Sequence, residues 1–178
     1  MRSISGAASL TMAYKFIHRA YTLFVAGANY LRSPLLLAIR IYFFWQLFQT
    51  GMGKLGNIAK VTQFFSSLGI PFPGLNAWLV GSLECFGGLL LVVGLFSRPI
   101  ALMVFVSMTV AYVTADMEAF ASFISDPDKF VKADPFVFWF AALIVLAFGP
   151  GLISLDALGK SVFRRRDLTS AASSRNPR

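Results

Sequence analysis

Glu84 is the one acid in an apolar run from Ala77 to Phe96. A carboxylate near the middle of a bilayer helix costs ~2.5–3.5 kcal/mol on insertion scales, so such groups face a bundle interior, pair with a base, or handle protons or ligands. The preceding apolar segment offers two bases, Arg40 and Lys54. At 3.6 residues per turn, positions 40, 43, 44, 47, 51 and 54 share one helix face, which aligns both bases along a stripe of Phe43, Phe44, Leu47 and Gly51. Gly81, Glu84 and Gly88 share a face on the next segment, where small residues let another backbone come close. Two kinds of chemistry follow. The cluster of Arg40, Lys54 and Glu84 binds the polar head of a membrane-dissolved ligand such as a quinone or passes a proton; alternatively, Arg40 and Glu84 form a buried ion pair that fixes helix register. Depth along the two segments favours Arg40 as the partner, because Lys54 would have to reach inward against its tendency to snorkel outward.

A second polar pair lies at the opposite end of the spans. Arg98 occupies a tight turn, and Asp156 opens a short amphipathic piece after Gly149-Pro150-Gly151. Both are placed at the cytoplasmic interface, where Asp156 acts as a helix cap or as a salt-bridge partner of Arg98. Other chemistries are excluded. Cys85 is the single cysteine, so intramolecular thiol–disulfide exchange lacks its resolving thiol, and the residue reads as a small packing group. His18 is the single histidine, on an amphipathic arm, which leaves haem ligation unsupported. No metal-ligand cluster, phosphate loop or serine-nucleophile motif is present, and Asp126-Pro127-Asp128 lacks calcium-loop spacing.

The elements that position these residues are set by composition. The chain has 178 residues, 57% hydrophobic and 13% charged. These proportions define an all-α membrane protein, a bundle of four transmembrane helices with an N-terminal amphipathic interfacial helix. The spans are expected near 34–53, 76–96, 99–115 and 135–149. The segment 1–33 is expected to be cytoplasmic, its helix over Leu10–Leu31 lying in the membrane plane, with Ser33-Pro34 capping and restarting the chain. Residues 34–160 make the membrane domain, and 161–178 a basic tail too poor in apolar residues to fold. No cleavable leader is evident in the first ten residues. Asn57–Leu68 and Met117–Asp134 are expected to supply short helices over the outer mouth. Arg32, Arg98 and Arg164–Arg166 fall on one side of the spans and Lys54, Lys60, Lys129 and Lys132 on the other, so both termini are expected in the cytoplasm. The net charge of +8 then belongs to the cytoplasmic face, beside anionic headgroups; the bilayer, not nucleic acid, is the expected partner.

Arg40 with Gly51-Met-Gly-Lys54, the Gly69-Ile-Pro71-Phe-Pro turn, Glu84 with Gly87-Gly88, Gly94-Leu-Phe-Ser-Arg98, and Gly149-Pro-Gly151-Leu-Ile-Ser154-Leu-Asp156 together resemble the DoxX family over roughly residues 36–160. The resemblance implies a four-helix protein of the bacterial inner membrane. It further implies a redox-associated subunit, similar to the membrane subunit of thiosulfate:quinone oxidoreductase, with quinone as the cofactor class and an oxidoreductase subunit or a second copy as partner. A non-catalytic anchor is the alternative, and a small transporter a distant third. Many relatives carry a histidine near the end of the third span, where this chain reads Tyr112-Val-Thr-Ala-Asp116. A histidine relay is therefore not implied here, and Asp116 is the acid nearest that position.

Overall fold

The computed structural model describes residues 4–161, with side chains for Lys15 and from residue 17 onward. Helix α1 runs Ile4–Gly56, α2 Ile58–Ser67 and α3 Pro73–Ser82. A π-helical turn over Leu83–Gly87 carries α3 into α4, Gly88–Val93. Then come α5 (Ser97–Ala115), α6 (Met117–Ala121), α7 (Pro127–Lys132) and α8 (Phe136–Phe148). A last helical stretch covers residues 155–161, and among the described residues there is no strand. The basic tail beyond residue 161 lies outside the described residues.

Three helical segments are long and apolar enough to cross a membrane: Ile17–Gly56, Pro73–Val93 and Ser97–Ala115. The fourth apolar helix, α8, has only 13 residues, about 20 Å at 1.5 Å per residue. Together they build an all-α membrane bundle. Phe44, Leu47, Leu91, Ala101, Val104, Met108, Ala141, Ala142 and Val145 interlock at its centre. Ile41, Trp45, Leu79, Phe86, Leu102, Val106 and Phe140 stand exposed around it, which in water would be a large unfavourable patch and in lipid is the ordinary outer surface.

The chain does not restart at Ser33-Pro34: α1 continues through Pro34. Proline inside a helix removes one amide donor, a loss that membrane helices tolerate when neighbours take up the freed groups. Here the surrounding contacts hold the segment helical. The Arg32 guanidinium donates to the Phe148 carbonyl at 3.0 Å and lies over the Phe148 ring, and Ser33 Oγ accepts from the Leu152 amide at 3.3 Å. Ser33 thus serves the loop after α8 instead of capping a new helix.

The inward stripe of α1 is Leu36, Arg40, Phe44, Leu47 and Gly51, all buried. Three glycine contacts fix its antiparallel register on the α3–α4 segment. A Cβ on Gly51 would collide with the backbone of Glu84 and Cys85, one on Gly88 would lie 2.9 Å from the Phe44 carbonyl oxygen and Phe48 amide nitrogen, and one on Gly94 would collide with the Arg40 guanidinium. At Gly51 and Gly88 glycine is a requirement of backbone-to-backbone packing, and at Gly94 it makes room for the Arg40 side chain.

The loops form the short helices α2, α6 and α7. At the far end of α5, Tyr112 is fully buried, donates its hydroxyl to the Phe130 carbonyl at 2.8 Å, and stacks on the Phe130 ring at 4.9 Å. Phe120, Phe136 and Trp139 complete this aromatic plug, which ties α6 and α7 to the bundle. Three of the loop acids are occupied by local contacts. Glu118 meets Lys129 at 2.5 Å, Asp128 meets Lys132 at 3.6 Å, and Asp126 accepts from the Lys129 amide as the cap of α7. The Lys129 ammonium holds the Glu118 carboxyl below its usual range. No group of metal-binding side chains occurs among the described residues.

Candidate functional site

The register set by the glycines decides the partner of Glu84, and it is Lys54. Lys54 Nζ and Glu84 Oε1 are 2.5 Å apart, with the Glu84 side chain 3% exposed and that of Lys54 30% exposed. The Arg40–Glu84 pair expected from segment depths is not formed. Gly51 sits against Glu84 and Cys85, which puts Lys54, one turn further along α1, beside Gly81 and Glu84. Arg40 lies fourteen residues before Lys54, about 21 Å down the helix axis, level with the end of α4. The depth argument failed because α1 has no boundary at residue 34, so counting from that position misplaces Arg40 relative to its neighbour.

Glu84 lies within the π turn of Leu83–Gly87. Such one-turn widenings interrupt the regular hydrogen-bond ladder and recur at functional positions. Glu84 Oε2 is buried and has no hydrogen-bond partner, whereas Oε1 is held by Lys54. An unpartnered carboxylate oxygen in a low-dielectric interior is an acceptor in want of a donor. Cys85, next to it, is buried and free, and its backbone abuts Gly51.

Arg40 is 1% exposed and entirely engaged with main chain. Its Nε donates to the Leu91 carbonyl at 2.8 Å, Nη2 to Val92 at 2.8 Å, and Nη1 to Pro150 at 2.6 Å and Ile153 at 2.8 Å. These carbonyls belong to the last turn of α4 and to the loop after α8, where helix ends leave acceptors without amide partners. The guanidinium therefore joins α1, α4 and the 150–153 loop. Its charge meets the negative end of the α4 dipole and makes no ion pair with an acid among the described residues.

Asp156 caps α5 from sixty residues away. Its Oδ1 and Oδ2 accept from the Phe96 and Ser97 amides, each at 2.9 Å, while its own amide donates to the Gly94 carbonyl at 3.0 Å. Phe96 adopts φ 49°, a left-handed conformation unfavourable for a side chain with a Cβ, and the carboxylate holds that turn. Burial pushes the Asp156 carboxyl up, but the Ser97 and Phe96 amide donors, with the Lys160 charge, outweigh it and hold the group below its ordinary value. Arg98 makes no salt bridge to Asp156; its guanidinium instead passes beside Gly149.

Arg40, Lys54 and Glu84 thus divide into two sites. Lys54 and Glu84 form one, whereas Arg40 joins the Asp156 end of the bundle. Sequence reasoning missed the π turn, for which no pattern speaks, and the plug around Tyr112. The partners of Arg40 had a legible signal: Gly94 and Gly149-Pro150-Gly151 end helices, and helix ends free carbonyls.

The sequence model of the DoxX family matches residues 35–117. Residues 35–117 are a DoxX-family domain. The match takes in Arg40, Lys54, Glu84 and Arg98 and stops before Asp156, short of the stretch to residue 160 over which the sequence fragments suggested it. Neither the curated proteins nor the solved structures gave a match. In structural terms, the DoxX segment holds α5 and both charged clusters, while the part after it supplies α8, the Arg40 acceptors at Pro150 and Ile153, and the Asp156 cap.

Proposed function

We propose that this DoxX protein is a redox-associated subunit of the bacterial inner membrane, both termini cytoplasmic, in which Lys54 and Glu84 receive the head group of a lipid-soluble quinone or its proton. The observation that carries the reading is the buried, unpartnered Oε2 of Glu84 beside a part-exposed Lys54. Glu84 Oε2 accepts the O–H of the reduced quinol, while Lys54 balances the carboxylate from the other oxygen and offers a donor toward the bundle surface for a quinone carbonyl. A quinone would supply the two-electron chemistry, with electrons delivered by a partner oxidoreductase subunit. The test is lipid mass spectrometry of the protein in native-membrane nanodiscs. Quinone enriched with wild type and depleted in Glu84→Gln at equal protein recovery supports the reading; equal quinone in both refutes it.

A membrane anchor or assembly subunit is the second reading. It is favoured by Arg40, a buried charge spent wholly on main-chain carbonyls, which sets a precedent for a purely structural use of charge in this bundle. On that reading Glu84→Gln lowers recovery of the protein and its partner together, without altering bound quinone.

A further inference from the structure

A groove of about 1010 Å³ opens at the end of the bundle opposite Lys54, between α1, the α4–α5 turn and the segment that follows α8. Its charged lining is Arg32, Arg98, Lys160 and Asp156. The acid makes no ion pair with either arginine: both its oxygens accept from the Phe96 and Ser97 amides, and its single charge leaves the three cations in excess. Arg32 reaches the Phe148 carbonyl, and Arg98 passes beside Gly149, so two guanidinium groups from different helices converge on one corner. Arg98 has neither a hydrogen bond nor an ion pair with the described residues. The α8 C-terminus offers these cations only partial negative charge. Two convergent guanidinium groups with an ammonium nearby, outnumbering the one carboxylate and not paired with it, form a receptor for a phosphate, which guanidinium binds through paired N–H donors.

We propose that this groove binds the phosphate of an anionic membrane phospholipid. The walls choose lipid over a soluble phosphate. Phe96 is 64% exposed, Leu152 81% and Phe148 56%, and all three line the groove beside the cations. An amphiphile matches both parts at once, its phosphate on the arginines and its glycerol and upper acyl chain on the apolar rim. The level is also right, since the groove sits where α5 begins and α8 ends, at the bilayer boundary.

The test uses full-length protein in bicelles of phosphatidylcholine with a minor fraction of phosphatidylglycerol, measuring the lipids retained after gel filtration. Wild type should retain phosphatidylglycerol above its bulk fraction. Arg98→Gln should lower that enrichment by about fivefold, and Arg32→Gln with Arg98→Gln should abolish it. Lys60→Gln, at the other end of the bundle, should leave it unchanged. Thermal midpoints in pure phosphatidylcholine verify that each variant is folded; Arg98→Gln breaks no side-chain hydrogen bond or ion pair and serves if the double variant fails. Equal enrichment in wild type and Arg98→Gln, or a loss with Lys60→Gln of the same size, overturns the site. Competition by millimolar inorganic phosphate that removes the bound lipid signal entirely would assign the groove to a soluble anion and overturn the lipid.

Discussion

Replacing Arg40 by methionine keeps most of the side-chain volume while deleting every donor. Four carbonyls lose their partner, one of them at a buried bond to Leu91 and three at part-buried bonds to Val92, Pro150 and Ile153. A buried acceptor left unsatisfied costs ~1–3 kcal/mol, and a part-buried one recovers some of its loss from water. The expected destabilisation is about 4–6 kcal/mol, a large share of the ~5–15 kcal/mol that typical folded domains have. Arg40→Lys should recover only part of it, since a single ammonium cannot reach carbonyls on α4 and on the 150–153 loop together. The assay is the thermal midpoint in detergent, followed by the fluorescence of Trp45, Trp78 and Trp139. Gly94 supplies an internal control. In wild type, Gly94→Ala meets the Arg40 guanidinium and also forces a side chain to φ 75°. In the Arg40→Met background the collision with the guanidinium is relieved, while the contact with the Ser154 Cβ at 2.7 Å and the backbone penalty of ~1–2 kcal/mol remain, so Gly94→Ala should cost less than it does in wild type. An unchanged midpoint for Arg40→Met, or strictly additive effects of the two substitutions, would refute the assignment of Arg40 as a structural clamp.

Two further outcomes are expected. The Asp156 carboxyl is held below its ordinary value in the folded protein, so the unfolded chain binds that proton more readily; the stabilisation is present above the ordinary aspartate range and is lost as pH falls through the folded value. Asp156→Asn should therefore flatten the fall in thermal midpoint between ~pH 7 and ~pH 3 relative to wild type. Tyr112→Phe removes one buried hydroxyl bond while preserving the ring stack on Phe130, so it should lower stability by ~0.5–1.5 kcal/mol and raise amide exchange in α7, measured by hydrogen–deuterium exchange.

The apolar segments, the inward stripe of α1 and the short loop helices were legible because each depends on residues close in sequence. Periodicity alone places Arg40, Phe44, Leu47 and Gly51 on one face. The partner of Glu84 was not legible in the same way. It depends on how far α1 slides along the α3–α4 segment, and that is decided by backbone contacts at Gly51 and Gly88 and by the Arg40 guanidinium lying against Gly94. Several glycines in each segment permit several registers, and a slide of about four turns, the ~21 Å between Arg40 and Lys54, exchanges one base for the other. Pro34 misled for a related reason. A serine followed by proline suits a helix start, yet contacts from Phe148 and Leu152, more than a hundred residues away, hold the helix through it. The loop after α8 read as an amphipathic appendage, whereas its Pro150 and Ile153 carbonyls serve the deepest base in the bundle.

The unbroken course of α1 sets the phase of the whole N-terminal arm. Arg32 and Arg40 are two turns apart on one rigid rod, so the grip of Arg40 on α4 also fixes the azimuth at which Arg32 meets α8. One residue inserted between Ser33 and Leu36 would rotate everything before it by about 100° and advance it by about 1.5 Å. Arg32 would then swing away from Phe148, and the aromatic side chains of Tyr21, Phe24 and Tyr30 would turn to a different side of the bundle, with no change in the membrane domain itself. Length between these two arginines is therefore as much a part of the structure as their charge.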